Sequence, residues 1–347
     1  MQQPADTSTR PVAVLADGTP NFGAHTTRLD PIDLTSLLSI DSSPLSIRRY
    51  REKRWCYIGV IHPQVILGCA VIHLGYVSSA FAFAFDRESR KMVEHNMVSP
   101  PLGQVSFDRH PDQGTCSFRA FRGRVAIFHD ISTGIRLLTT DLFFPGHSLS
   151  ARITVDDKPD DLSPLQVITP MENGQTVFTH KAAGMPAHGR ITVNGKTVEL
   201  RPEETRAIFD WTDGFHNRNT FWNWACGAGD SDEGRRIGFN FSAGVYESGV
   251  LENVIWIDGR PVRIGRVDFD YDTQKPQSPW RVRSRGGEVD LTFQPEGIRG
   301  AKQNLGIIAS RFIQPCGSYS GTIRDPEGQT LNLTSVGGVV EEHFARW

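Results

Sequence analysis

Short runs in which apolar and polar residues alternate, separated by turn-forming residues, follow one another along most of the chain. Residues 54–61 and 65–74 are rich in β-branched and aromatic residues and are joined by His62-Pro63-Gln64, a pattern typical of a β-hairpin. In residues 81–86 three phenylalanines alternate with smaller residues, so a strand there would place the phenylalanines on one face. That face is expected to pack on a core or to line a cavity.

The same pattern continues through both halves of the sequence. Further strands are predicted at residues 104–107, 115–121, 123–130, 135–144 and 149–155. In the second half, Asn194-Gly195 and Asp258-Gly259 each separate two alternating runs, which predicts hairpins because both pairs tolerate the positive φ of a type I′ turn. Only residues 201–209 group several helix formers, enough for one or two turns.

These patterns predict an all-β, predominantly antiparallel fold with few short helices. A chain of 347 residues is long enough for two domains of ~150 residues each. We place the boundary in the charged, proline-containing stretch 156–164, which gives a first β domain at 41–160 and a second at 161–347. Residues 1–40 lack periodicity and are predicted to form a partly extended N-terminal arm. Each domain is expected to be a β-barrel or a β-sandwich.

Charge and hydropathy narrow the classes of partner. The 37 Lys and Arg residues nearly balance the 39 Asp and Glu residues, and a net charge of -2 provides no basic surface for nucleic acid. No window approaches the ~20 uninterrupted apolar residues that cross a bilayer, so no membrane span is expected. Residues 1–10 are too polar for a signal peptide, which favours a cytoplasmic protein.

The sequence also predicts that no metal or organic cofactor is bound. Its five cysteines are scattered and include no Cys-x-x-Cys pair, so we interpret them as free, buried thiols. The sequence contains no Gly-x-Ser-x-Gly elbow, no phosphate-binding loop that ends in Gly-Lys-Ser or Gly-Lys-Thr, and no His-Glu-x-x-His motif.

A tryptophan-rich segment at residues 209–227 is the main candidate for a site. Three of the seven tryptophans lie within fourteen residues there, among Asp, His, Arg, Thr and Asn. If residues 220–225 form a strand, then Thr220, Trp222 and Trp224 share one face. Indoles beside hydrogen-bonding groups suit a pocket for a flat, lipophilic ligand. The alternative is that they are core aromatics whose N–H groups bond to nearby Asp and Asn.

Candidate catalytic residues are the acids and the histidine that lie among or near these aromatics. Asp213, His216 and Glu252 could transfer protons, and Asp210 lies in the same segment. Glu252 interrupts an apolar run, where an unpaired acid is costly, so it is expected either to pair with a cation such as Arg218 or to face a wet cavity. The candidate ligand-binding residues are Arg218, Thr220, Trp222, Trp224, Asn240, Asn253, Glu341 and His343. For each of them, a purely structural hydrogen bond or ion pair is the alternative.

As a set, several motifs resemble the family known as domain of unknown function 2804. They are Lys53-Arg54-Trp55, Asp210-Trp211, the run from Thr220 to Ala225, Glu252-Asn253, the Asp258-Gly259 turn and the closing run from Glu341 to Trp347. The resemblance spans about residues 45–347. It implies a distant similarity to lipocalin-like two-domain proteins, which include carotenoid hydratases and Diels-Alder cyclases. It therefore implies paired β-barrel-like domains around a ligand cavity, without a cofactor, and it supplies no catalytic residues.

Three functions are consistent with these observations. The first is binding of a small lipophilic metabolite in a tryptophan-lined cavity. The second is a cofactor-independent enzyme, a hydratase, lyase, isomerase or cyclase, that uses acid-base catalysis on a lipophilic substrate. The third is a structural or interaction module whose barrels are filled by side chains. The identity of the ligand and the oligomeric state stay open at this point.

Overall fold

The computed structural model of the chain describes residues 11–39, 50–99, 104–304 and 306–347. These residues are almost entirely β, with a short helix, α1 (Leu34–Leu37). They form two curled antiparallel sheets, so the predicted all-β antiparallel fold is confirmed. None of the helices in this part of the chain has the length and apolar character needed to cross a membrane.

The larger sheet contains the first fourteen strands. They are β1 (Gly23–His25), β2 (Lys53–Ile61), β3 (Val65–His73), β4 (Ser78–Asp86), β5 (Lys91–Ser99), β6 (Val105–Phe107), β7 (Gln113–Ala120), β8 (Gly123–Asp130), β9 (Ile135–Phe144), β10 (His147–Asp156), β11 (Leu165–Pro170), β12 (Thr176–Val193), β13 (Lys196–Leu200) and β14 (Arg206–Gly214). The main order is β5-β4-β3-β2-β14-β12-β10-β9-β8-β7-β6, while β11 and β13 also pair with β12, and β1 pairs with β11.

The smaller sheet contains the remaining nine strands. They are β15 (Asn219–Asp230), β16 (Arg236–Ala243), β17 (Val254–Ile257), β18 (Arg260–Arg263), β19 (Val267–Asp270), β20 (Trp280–Ser284), β21 (Val289–Asn304), β22 (Ala309–Arg324) and β23 (Thr330–Arg346). Their order is β18-β17-β16-β15-β23-β22-β21-β20-β19. The last strand therefore lies in the centre of this sheet, between β15 and β22.

The turn chemistry explains where the hairpins form. Asn194 and Gly195 have φ values of 50° and 83°, and Asp258 and Gly259 have 50° and 80°, the left-handed pairs that a type I′ turn requires. Both predicted hairpins are confirmed. The helical turn expected at residues 201–209 is wrong, because residues 206–209 begin β14, whose side chains there are buried between β2 and β12. Burial in a sheet outweighs local helix propensity at this position.

The predicted N-terminal arm and the predicted domain boundary can each be located in the structure. Residues 11–39 of the predicted arm place Leu29 and Leu34 in the main core, whereas residues 1–10 lie outside the described part of the chain. The predicted boundary at 156–164 falls between β10 and β11, which both belong to the larger sheet. The chain passes from one sheet to the other between residues 214 and 219. The division into domains at residue 160 stays a prediction.

The two sheets contact each other closely where β12 passes over β16. A Cβ atom on Gly238 would lie 2.3 Å from the carbonyl carbon of Ala183, so only glycine permits this approach. A second contact joins β21 to β4, where Gly297 lies against the ring of Phe85. Away from these contacts the sheets diverge and leave an internal space.

All five cysteines are buried and unpaired, as predicted.

Candidate functional site

A cavity of about 550 Å³ lies between the two sheets. Strands β2 to β5 form one wall, and strands β15, β16, β21, β22 and β23 form the other. Alternation along the strands decides which side chains face it, as at Trp222 and Trp224 of β15. The volume is within the range of pockets that enclose a molecule of drug size.

Aromatic rings form much of the cavity wall. Trp55 stacks on Trp222 with ring centroids 6.5 Å apart and an interplanar angle of 12°, while Trp224 meets the edge of Tyr57 at 5.5 Å. The Trp224 indole donates a 2.8 Å hydrogen bond to Asn240 Oδ1, which fixes the plane of the ring. These rings present a rigid apolar surface to the cavity.

One end of the cavity holds a lysine between two carboxylates. Lys181 Nζ on β12 lies 2.6 Å from Asp210 Oδ1 on β14 and 3.3 Å from Glu252 Oε2. We call these three residues the cavity cluster, and all three line the cavity. Both the lysine and Glu252 are buried.

The charges within the cavity cluster set its protonation. Burial alone would lower the pKa of Lys181, but Asp210 and Glu252 outweigh burial and raise it, so the lysine stays charged. Burial, together with the charge of Asp210, raises the pKa of Glu252, although Lys181 opposes the change. Glu252 is thus the acid of the cluster that is poised to hold a proton.

The imidazole ring of His216 faces the same cavity, and its two nitrogen atoms are the feature of interest. The ring stacks on Trp55 at a centroid distance of 5.0 Å, and neither Nδ1 nor Nε2 has a hydrogen-bond partner among the described residues. Burial, helped by the charges of Lys53 and Lys181, lowers its pKa to about 3. The imidazole is therefore neutral near pH 7, with one donor and one acceptor directed at its surroundings.

On the opposite wall, Glu341 is the centre of a hydrogen-bond network. Its Oε1 accepts a 2.9 Å bond from the Trp222 indole and its Oε2 accepts a 2.7 Å bond from Gln314. His343 lies two residues further along β23, and its Nδ1 is 3.3 Å from Glu341 Oε1. Arg299 donates a 2.8 Å bond to Gln314 and so extends the network to β21.

The structure brings six of the predicted site residues to the cavity, namely His216, Trp222, Trp224, Glu252, Glu341 and His343. Glu252 meets Lys181 rather than Arg218 as its cation. The roles predicted for these residues in binding or catalysis stay predictions.

The other ligand-binding candidates contact protein groups behind the wall. Asn240 Nδ2 donates to the Glu252 carbonyl, and Asn253 Nδ2 donates to the Gly265 carbonyl. Thr220 accepts a 3.1 Å bond from the Trp347 indole, and Arg218 is exposed and bonds to the carbonyl of residue 307. Asn240 and Thr220 thus orient cavity-lining indoles from behind.

Asp213, the third catalytic candidate, lies outside the cavity lining. It follows Asp210 by three residues along β14 and so points to the opposite face of the strand. Its Oδ2 accepts a 3.0 Å bond from Arg109, which also pairs with Glu52. Burial and the nearby Glu52 raise the pKa of Asp213 well above its usual range.

Sequence reasoning missed several lining residues, above all Lys181, Trp55, Tyr246 and Trp347. The signal for Lys181 is present in the sequence, because the run Val177 to Met185 is otherwise mostly apolar or small and contains one lysine. A charge at such a position is expensive to bury without a partner. The three aromatic residues give no such signal, since core aromatics have the same surroundings in a sequence.

The thiols of Cys56 and Cys116 and the His129 imidazole place possible metal-ligand atoms within 4.8 Å of one another in the core. Arg136 NH1 lies 3.1 Å from His129 Nδ1, and because arginine only donates, Nδ1 must accept. The ring proton of neutral His129 is then on Nε2, the atom 3.9 Å from Cys56 Sγ. That tautomer directs a proton, not a lone pair, at the thiols, so the residues as placed do not fit a metal ion.

Comparison with known proteins assigns the chain to a family and finds two solved structures that are similar to it. The model of the family described as Domain of unknown function (DUF2804) matches residues 7–347, including most of the predicted N-terminal arm. No curated protein matches the sequence significantly. Kievitone hydratase from Nectria haematococca is similar in structure, with a TM-score of 0.46, 10% identity, and coverage of 83% of this chain and 88% of the hydratase. A protein provisionally assigned as an AttH from Nitrosomonas europaea has a TM-score of 0.48, 11% identity, and coverage of 86% and 93%.

Proposed function

The chain belongs to the DUF2804 family, and from that premise we propose that it binds one small lipophilic molecule in the cavity between its sheets. The observation that carries this proposal is an aromatic cavity of about 550 Å³ that contains the buried imidazole of His216, neither of whose ring nitrogens has a hydrogen-bond partner among the described residues. Pockets for small molecules combine apolar walls with a few directed polar groups. Buried polar atoms usually have partners, so a ligand is the natural complement here.

The cavity cluster indicates the polarity of the ligand. The cluster sets one lysine cation against two carboxyl groups, so it offers no free positive charge to an anion. Neutral His216 and the hydroxyl of Tyr76, which also lacks a partner among the described residues, each offer one donor and at least one acceptor. A hydroxyl or carbonyl group on an otherwise apolar molecule matches this arrangement.

The first test is native mass spectrometry of the purified protein, followed by organic extraction and identification of any molecule that co-purifies. The extracted protein is then titrated with a fluorescent lipophilic alcohol. We expect Trp222→Ala to weaken binding about tenfold, because the variant loses a stacking surface worth roughly 1.4 kcal/mol. The matched control is Trp280→Phe, since Trp280 stacks on Tyr271 away from the cavity lining.

Unchanged affinity in Trp222→Ala, or equal weakening in Trp280→Phe, would contradict binding in this cavity. Failure of the protein to bind any lipophilic alcohol would favour the alternative of a structural module. Circular dichroism of both variants separates a lost site from a lost fold.

Acid-base catalysis on the bound molecule is a second candidate function, which the raised pKa of Glu252 favours. A protonated carboxyl that lines a cavity beside a fixed cation can protonate a double bond or a leaving hydroxyl group. Neutral His216 lines the same cavity and offers a ring N–H as a hydrogen-bond donor. This places the chemistry in the hydratase, lyase or isomerase class.

The test incubates the extracted compound with the protein and follows gain or loss of water, or rearrangement, by mass spectrometry. We expect Glu252→Gln to abolish turnover while binding persists. Asp213→Asn is the matched control, since Asp213 does not line the cavity, and it should retain turnover. The opposite result would move the catalytic acid to the Asp213 site.

A further inference from the structure

Three side chains on the cavity wall opposite Lys181 form a hydrogen-bonded line that is independent of the cavity cluster. Ser310 Oγ lies 3.0 Å from His343 Nε2, and His343 Nδ1 lies 3.3 Å from Glu341 Oε1. All three residues line the cavity. A hydroxyl on one imidazole nitrogen and a carboxylate on the other is the arrangement that activates a serine as a nucleophile.

The strand register holds this line in place. Glu341 and His343 are two residues apart on β23 and share a face, and Ser310 is on the adjacent strand β22. The His343 ring lies against Trp222, its cross-strand partner on β15, at a centroid distance of 4.1 Å. Hydrogen bonds from Trp222 and Gln314 fix the Glu341 carboxylate.

The directions of the hydrogen bonds follow from this geometry. Glu341 is an acceptor, so His343 carries its proton on Nδ1 and donates it to the carboxylate. Nε2 then accepts the hydroxyl proton of Ser310. This is the tautomer that a general base needs when it faces a serine.

We propose that Ser310, His343 and Glu341 form a nucleophilic triad that cleaves carboxylic esters of lipophilic alcohols or acids bound in the cavity. The proposal rests on the proposed binding function, because the cavity holds the ester against Ser310. It adds a reaction class that the acid-base chemistry of the cavity cluster does not include.

The reaction balances with water as the second substrate. Ser310 Oγ forms a bond to the ester carbonyl carbon as its proton passes to His343 Nε2, and the resulting intermediate expels the alkoxide, which takes that proton and leaves as the alcohol. The acyl group is now on Ser310. Water then attacks the acyl carbon, gives a proton to His343 and releases the carboxylic acid, while His343 returns the proton to Ser310. Glu341 stabilises the imidazolium in both steps.

The test reacts the full chain with a fluorophosphonate that carries an alkyl tail and maps the modified residue by peptide mass spectrometry. Hydrolysis of p-nitrophenyl esters of increasing acyl length is measured in parallel. We expect modification at Ser310 and saturable hydrolysis that falls roughly 100-fold or more in Ser310→Ala. Ser320→Ala is the matched control, because Ser320 is exposed on the same strand and lies outside the cavity lining.

The failures of the two proposals can be told apart by measuring binding of the p-nitrophenyl ester through quenching of tryptophan fluorescence. If the ester binds but Ser310 is neither modified nor needed for hydrolysis, the triad is wrong and the binding function stands. If the ester does not bind and nothing is modified, both proposals are wrong. Equal loss of hydrolysis in Ser310→Ala and Ser320→Ala would also overturn the triad.

Discussion

Two buried ionic clusters contain similar groups in different proportions, one next to the larger sheet and one between the two sheets. In one, which we call the Arg136 cluster, Arg28 and Arg136 lie between Asp112 and Asp157. Two cations there match two carboxylates. In the cavity cluster one lysine faces two carboxyl groups, those of Asp210 and Glu252.

The difference lies in the ratio of cations to carboxyl groups in each cluster. Arg136 donates to Asp157, to Asp112 and to the carbonyl of Pro111, and it stacks 3.8 Å from the centroid of the Phe209 ring. A buried ion pair with this many contacts holds the fold in one arrangement. The cavity cluster is also buried, but it has one cation for two carboxyl groups and it lines an internal space. Burial of charge alone is therefore a weaker reason to propose a site than an uneven charge balance beside a cavity.

Removing the central cation of the Arg136 cluster should produce the largest effect. We expect Arg136→Met to lower the free energy of unfolding by about 3–5 kcal/mol, because Asp112 and Asp157 lose a buried partner. Chemical denaturation at pH 7 measures this loss. Arg124→Met, which removes a half-exposed pair with Asp141, is the control and should cost less than about 1 kcal/mol. Similar losses of unfolding free energy in the two variants would mean that water reaches the Arg136 cluster.

Replacing one acid of each cluster by its amide should change the free energy of unfolding differently in the two clusters. Burial would raise the pKa of Asp112, but His180, Arg28 and Arg136 outweigh burial and lower it, so the folded protein favours the charged form. Asp112→Asn should therefore cost about 2–3 kcal/mol at pH 7. The pKa of Glu252 is raised, so the fold favours its neutral form, and Glu252→Gln should leave stability unchanged or raise it by up to about 1 kcal/mol. A large cost in both variants would erase the distinction between the clusters.

The third and smallest effect concerns pH and His216. The pKa of His216 is about 3 in the folded protein and near 6.5 when the ring is exposed. Below pH 6.5 the ring therefore binds a proton in the unfolded chain but stays neutral in the folded chain. Stability should fall as the pH drops from 6.5 toward 3, with His216 contributing about 2 kcal/mol of loss at pH 5. Between pH 7 and pH 5, we expect the free energy of unfolding of His216→Gln to fall by about 2 kcal/mol less than that of the unmodified protein. Parallel curves for the two proteins would show that His216 is not buried as a neutral ring.

Much of the fold could be predicted from the sequence because its signals are local. Two runs rich in β-branched and aromatic residues, joined by His62-Pro63-Gln64, identified the first hairpin. The Asn194-Gly195 and Asp258-Gly259 pairs identified two turns whose φ values match the prediction. The sharing of one face by Trp222 and Trp224 followed from the two-residue period of a strand. The expected helical turn at 201–209 failed because tertiary burial, which no local window contains, determines that segment.

The candidate site was predictable only in part, because it is assembled from both sheets. Glu252 was recognised as an acid that needs a partner, but its cation comes from Lys181, seventy-one residues earlier in the chain. Asp213 and Asp210 looked equivalent in the sequence, and only the pleat of β14 sends them to opposite faces. Ser310 carries no sequence signal at all, since its contact with His343 depends on how β22 pairs with β23.

Gly238 and Ala183 meet through their backbones, so the spacing between the sheets and the lining of the cavity depend on different residues. Because backbone meets backbone there, the spacing between the sheets does not depend on any side chain of the cavity wall. Under the proposed binding function, exchanging a wall residue such as Phe81 for a smaller one would change which ligands fit, whereas a larger residue at position 238 would push the two sheets apart.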